Sequence, residues 1–394
     1  MLADNGLNVC KIKVVGVGGG GSNAVNRMIE MNIKSAEFAV VNTDKQALML
    51  SKADPMDRYV IGESLTKGLG AGSDPDVGER AAEESKDVIE EIVDGVDLLF
   101  IAAGMGGGTG TGAAPVIARV AKEKGCITVA VVTKPFSFEG RKREENSKKG
   151  IANLTKYVDT IVIIPNDKLL EALPNDTSML DALKYADDNL RQGICGIADL
   201  ISTPAMINLD FADVRTIIQG QGLAHMGVGR AKGENRVVEA VRKAVSSPLL
   251  ETTIEGARGI ILNVTGGRDL SIGQIYEAAH LVQGVIDDAA NIIFGANIRD
   301  DYQEEIEITV IATGFVPKEE ETEASSLRKN FLNLINTQEE EKTEESVVRP
   351  ERTERPPQRP AQNVYGGRIP SGRDIRYEIE DDFINSASEE EKPA

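Results

Sequence analysis

From residue 12 the chain repeats one unit: a short run of consecutive apolar residues, a glycine-rich turn, then a segment with apolar residues every three or four positions. "IKVVGV" leads through glycines into "NAVNRMIEMN", and "EFAVVNTD" follows. Runs at 97–104 (DLLFIAAG), 126–133 (CITVAVVT) and 160–166 (TIVIIPN) are apolar almost throughout, with no alternation. A strand of that kind is buried on both faces, as in a parallel sheet covered by helices. Helical spacing predicts helices over 75–93, 113–124 and 139–157 between these strands. The expected fold is therefore α/β: a doubly wound parallel-sheet nucleotide-binding domain over 11–177, preceded by a flexible N-terminus at 1–10.

Residues 178–204 keep helical spacing for about seven turns until Pro204 stops it, which predicts one long central helix joining two domains. Beyond it a smaller α/β second domain is expected over 205–316. Its elements are read from 227–251, taken as helical, and from "RGIILNVTGG", "SIGQIYEAAHLVQGVI", "NIIFGANI" and "EIEITVIATGF". After Pro317 the composition turns to Glu, Arg, Pro, Gln and Ser, which cannot bury a core, so 317–370 reads as a disordered linker. Ile375, Ile379 and Phe383 then recur every four residues, one apolar stripe on a partner-docking peptide over 371–394.

Charge narrows the partners. With 63 acidic and 44 basic side chains the net charge is −19, which repels a phosphate backbone and argues against nucleic acid. The three cysteines, Cys10, Cys126 and Cys195, are far apart and form no metal or redox spacing, as expected in a reducing cytoplasm. No leader-like N-terminus is present and no apolar stretch reaches the roughly 20 residues that span a bilayer, so neither export nor membrane insertion is expected. His225 and His280 stand alone and read as structural, and no metal-ligand cluster is expected.

Five glycines occupy the six positions 16–21, between a strand and a helix. Gly16, Gly18 and Gly21 fit G-x-G-x-x-G, and Asp44 ends the next strand, so a dinucleotide-binding dehydrogenase is one reading. A second loop at 102–115, "AAGMGGGTGTGAAP", also follows a buried strand and opens a helix. A dinucleotide has one pyrophosphate and would leave this loop idle, whereas two converging cradles suit a triphosphate. Gly106, Gly107, Gly108, Gly110 and Gly112 free the backbone to wrap an anion, and the Thr109 and Thr111 hydroxyls can donate to it. No G-x-x-x-x-G-K-[ST] occurs, so backbone amides, helix dipoles and Mg²⁺ must neutralise the phosphates.

At "GGGTGTG" (106–112) the chain resembles the tubulin/FtsZ family of GTPases. "KVVGVGGGGSNAVNRM", "VNTDKQAL", "TKGLGAG", "TVAVVTKPFSFEGRKR", "IPNDKLL", "NLDFADVRT", "SSPLLE" and "ITVIATGF" fall in that family's order over 11–316. The resemblance implies that GTP phosphates lie on Gly19, Gly20, Gly21, Ser22 and Asn23 and on Gly106, Gly107, Gly108, Thr109 and Gly110. It implies Glu139 and Arg143 beside the ribose and phosphates, and Asp187 on the guanine edge. Without it, Glu139 and Arg143 read as an i,i+4 ion pair and Asp187 as an exposed helical acid. Leu183 stands where family members often carry an aromatic ring that stacks on guanine.

Asp210 and Asp213 share one face of a first helical turn, which by itself also fits ordinary helix capping. The resemblance makes Asn208, Asp210 and Asp213 a catalytic loop that one subunit inserts over its neighbour's GTP, coupling hydrolysis to head-to-tail polymerisation. It implies a cytokinetic ring in bacterial cell division, assembled from the cytoplasm at midcell, with the tail recruiting membrane tethers such as FtsA. The usual D-I-P-x-F-L tail pattern is absent here. A dehydrogenase leaves the second glycine loop unexplained. A nucleotide-dependent filament scaffold with little hydrolysis would need the Asp210/Asp213 pair to be purely structural.

Overall fold

The computed structural model describes residues 10–171, 173–174, 177–202, 210–247, 254, 256–286, 289–300 and 302–315. Asn208, the linker and the docking peptide lie outside the described residues. The first half alternates strand and helix: β1 (Ile12–Val17), α1 (Gly18–Glu30), β2 (Glu37–Asn42), α2 (Lys45–Met49), β3 (Arg58–Val60) and α3 (Glu63–Thr66). There follow α4 (Pro75–Glu84), α5 (Lys86–Val93), β4 (Leu98–Gly104), α6 (Thr109–Glu123), β5 (Ile127–Lys134), α7 (Arg141–Leu154), β6 (Thr160–Pro165) and α8 (Asn166–Glu171). The long helix α9 (Met179–Ser202) leads to α10 (Phe211–Ile218), β7 (Gly222–Lys232), α11 (Arg236–Val245), β8 (Gly259–Gly266), α12 (Ile272–Gln283), β9 (Asn291–Ile298) and β10 (Glu305–Thr313).

The strands form one ten-stranded sheet in the order β3-β2-β1-β4-β5-β6-β7-β10-β8-β9. The six strands of the first half run parallel, as their continuous apolar runs require. The expected second α/β unit continues the same sheet: Gly222, Leu223 and Ala224 of β7 pair in parallel with Thr160, Ile161 and Val162 of β6. β10 then inserts antiparallel between β7 and β8, and β9 is parallel to β8. Separate buried clusters fill the two faces of the first half and the space beneath α11 and α12.

Four expected elements shift. The helix expected over 75–93 divides at Ser85 into α4 and α5. α6 starts at Thr109, four residues before the expected 113, because the small residues of the signature loop are already wound into helix. The helix expected from 139 starts at Arg141, after a 3-10 turn over Ser137–Glu139 and Gly140 at φ +94°. The segment 227–232, read as the start of a helix, belongs to strand β7. A Cβ on Gly227 would fall 1.8 Å from the Ala244 carbonyl oxygen and one on Gly229 2.0 Å from that of Ala240. Glycine there lets α11 lie directly on the strand.

Candidate nucleotide cleft

The strand order 3-2-1-4-5-6 reverses direction between β1 and β4, where open α/β sheets bind ligands outside the carboxyl ends of the strands. Both glycine loops leave the sheet there, one from β1 and one from β4. Neither α1 nor α6 has a side-chain N-cap or an acidic residue in its first turn. Their leading N–H groups and positive dipole ends are thus left for an anion.

The glycines divide by what surrounds them. A Cβ on Gly21 would lie 2.1 Å from the Ala102 carbonyl oxygen, one on Gly16 2.5 Å from that of Gly21, and one on Gly112 2.0 Å from that of Pro75. The first two let α1 touch β4 and β1, and the third lets α6 touch α4. Gly19 and Gly107 have nothing within 4 Å and face open space.

That space is a cleft of about 350 Å³ lined by Gly19, Gly20, Asn23, Gly107, Gly108, Thr109, Gly110, Glu139, Arg143 and Asp187. With Leu183, which also lines it, eleven of the residues singled out in the sequence thus converge. Gly21, Ser22 and Gly106 do not line it: Ser22 is buried with no partner for its Oγ, and Gly106 N donates to Thr111 Oγ1 at 2.8 Å. The Thr111 expectation is corrected accordingly, because its hydroxyl braces the loop from within and lies away from the cleft. Asp44, the dehydrogenase marker, is occupied in capping α2, accepting from Gln46 N and Ala47 N.

Glu139 and Arg143 pair with each other at the mouth, and Glu139 Oε1 also accepts from Phe136 N at 2.9 Å. Asp187, on the third turn of α9, is held differently. Burial pushes its carboxyl up from 3.8 to about 6, with the Arg27 guanidinium acting in the opposite sense. A carboxylate short of partners in a cleft suits a ligand edge with two N–H donors, as guanine has. Asn166 was missed in the sequence: it lines the cleft with a buried Oδ1 that has no partner. Its position, the first residue after β6, was the available signal.

Asp210 and Asp213 stand apart from this cleft. Asp210 caps α10, accepting from Ala212 N at 3.2 Å, and Asp213 lies in the first turn. The other end of α10 is fixed to the amino end of β6, where Thr160 Oγ1 donates to the Ile218 carbonyl at 2.6 Å. The cleft takes Asn166 from the carboxyl end of the same strand. Along α9, Asp187 and Ser202 are separated by about 22 Å of helix. Neither Asp210 nor Asp213 lines its own chain's cleft.

Among the described residues, no group of His, Cys, Asp and Glu could hold a metal. His225 packs edge-on against Phe315 at 4.6 Å between centroids, as a structural residue would.

Residues 11–174 match the model of the tubulin/FtsZ family GTPase domain, and residues 222–316 that of the FtsZ family C-terminal domain. The chain is 40% identical to the FtsZ of M. jannaschii solved as an empty dimer, covering 80% of this chain and 94% of that one with a TM-score of 0.75. The chain belongs to the tubulin/FtsZ family. A tryptophan-to-tyrosine mutant of the M. jannaschii protein gives 42% identity, 78% and 92% coverage and the same TM-score of 0.75. CetZ1 from Haloferax volcanii, at 22% identity, 84% and 99% coverage and a TM-score of 0.66, shares the fold. Family membership makes this chain a tubulin-like GTPase.

Proposed function

We propose that the chain binds GTP in this cleft, polymerises head-to-tail, and hydrolyses each nucleotide with Asp210 and Asp213 of the next subunit. The separation of the two carboxylates from their own chain's cleft carries the reading. A donor at one end of a molecule and an acceptor site at the other make a heterologous contact that need not close, which generates filaments. CetZ2 from Haloferax volcanii, a solved protein of the same fold, is a protofilament with GTPγS bound, in keeping with such assembly.

Gly19, Gly20, Gly107, Gly108, Thr109 and Gly110 hold the phosphates through amides and a hydroxyl, with Gly21, Ser22 and Gly106 shaping the loops. Asn23, Asn166 and Asp187 take the nucleoside, and Arg143 leaves Glu139 to meet phosphate charge. The cleft acids Glu139 and Asp187 are spread over different elements and give Mg²⁺ no protein cage. Mg²⁺, when bound, would supply charge neutralisation at the phosphates held by these loops. Asp210 and Asp213, with Asn208 beside them in sequence, polarise the attacking water. The filament forms the cytokinetic ring at midcell in the cytoplasm, and the tail docks FtsA-like tethers.

Asp213→Ala tests the assignment through separate assays of nucleotide binding, filament sedimentation and phosphate release. Binding and assembly persist, while turnover falls by about 10²- to 10⁴-fold, the usual contribution of a positioned carboxylate. Loss of GTP binding in that variant would overturn the division of labour.

A further inference from the structure

β2 ends at Asn42, and the next residue, Thr43, has no exposed surface. Its Oγ1 lies 2.7 Å from Thr109 Oγ1, across the buried side of the second glycine loop. Its carbonyl accepts from Gly70 N at 3.1 Å and from Thr66 Oγ1 at 3.4 Å. The backbone is thus pinned by the neighbouring loop, and the hydroxyl is aimed at Thr109.

A threonine hydroxyl carries one proton and can accept as well as donate. Between Thr43 and Thr109 only one of the two protons can lie on the oxygen–oxygen line. If Thr109 donates to Thr43, it has no proton for the cleft. If Thr43 donates, the Thr109 proton is free to point into the cleft that this residue lines. A phosphate oxygen accepts only, so it selects the second arrangement: Thr43 O–H to Thr109 Oγ1, and Thr109 O–H to phosphate. Each link polarises the next in so dry a place.

We propose that Thr43 is a positioning residue for the nucleotide phosphates, acting entirely through the Thr109 hydroxyl. This rests on the cleft being the phosphate site, and the test separates the two ideas. Affinities for GTP, GDP and guanosine are measured for Thr43→Val, Thr43→Ser, Thr109→Val and the Thr43→Val/Thr109→Val double variant. Thr43→Val should weaken GTP and GDP by about five- to tenfold, the effect of one hydrogen bond feeding a charged acceptor. Guanosine binding should stay unchanged, which a merely structural defect would not allow. Thr43→Ser should restore wild-type affinity, and the double variant should bind no worse than Thr109→Val alone.

Normal GTP affinity in Thr43→Val, an equal loss in Thr43→Ser, or losses that add in full would each overturn the proposal while leaving the cleft reading intact. Normal GTP affinity in Thr109→Val would remove the phosphate role of Thr109 and the proposal with it. If the valine variant does not fold, Thr43→Ala against Thr43→Ser makes the same comparison.

Discussion

Replacing Asp187 with Asn opposes stability to binding. In the cleft, burial pushes the carboxyl from 3.8 to about 6. A displacement of that size corresponds to about 3 kcal/mol for holding the carboxylate charged, an upper bound because the side chain keeps some contact with solvent. The folded state binds this proton more tightly than the unfolded chain. Its stabilising contribution is therefore complete below pH 3.8 and lost as the pH rises through about 6. Asp187→Asn should raise the stability of the nucleotide-free protein at pH 7.5, and the gain should vanish towards pH 4. Guanine donors reverse the balance, because they favour the ionised acid. In the wild type, the ionised fraction falls about tenfold between pH 7.5 and pH 5, and GTP affinity should fall with it. Asp187→Asn should bind GTP about 10- to 100-fold more weakly at pH 7.5, as expected when a charged hydrogen-bond partner is lost, and should lack this pH dependence. Chemical denaturation and fluorescent-nucleotide titration from pH 5 to 8 measure both. An unchanged stability at pH 7.5 together with a retained acid-side loss of affinity would refute the assignment.

The two kinds of glycine should separate cleanly. Gly21→Ala drives a Cβ to 2.1 Å from the Ala102 carbonyl oxygen and should cost about 2 kcal/mol or more in denaturant unfolding. Gly19→Ala meets no protein atom within 4 Å, so it should leave stability nearly unchanged while weakening GTP in an equilibrium titration. Leu183→Phe puts an aromatic face into the cleft that Leu183 lines and should tighten GTP several-fold in the same assay.

Much of the fold was legible because the first-half strands are apolar on both parities, a pattern that only a sheet covered on both sides explains. What escaped notice had contrary local chemistry. β7 hides behind Gly227 and Gly229, glycines selected by the close approach of α11 and not by a turn. The early start of α6 is masked by threonine and glycine, poor helix formers whose small size the loop needs. At the site, the glycine loops could be read from the chain and Asp187 only through the family resemblance, and Asp44 showed how a dehydrogenase fingerprint can arise from a helix cap. Asn166 and Thr43 could not be assigned and Thr111 was assigned to the anion, since the direction of a hydroxyl or amide depends on the partners that the fold brings to it. That Asp210 and Asp213 lie off the cleft fits β6, whose amino end anchors the last residue of α10 and whose carboxyl end leads to Asn166 in the cleft.

The central claim, that one subunit completes the active site of the next, is tested most directly by measuring GTP turnover per molecule against protein concentration with GTP and Mg²⁺ saturating. Turnover should be negligible below a threshold concentration and rise steeply as filaments appear. A turnover per molecule that stays constant across dilution would mean that each chain hydrolyses alone, and would contradict the account.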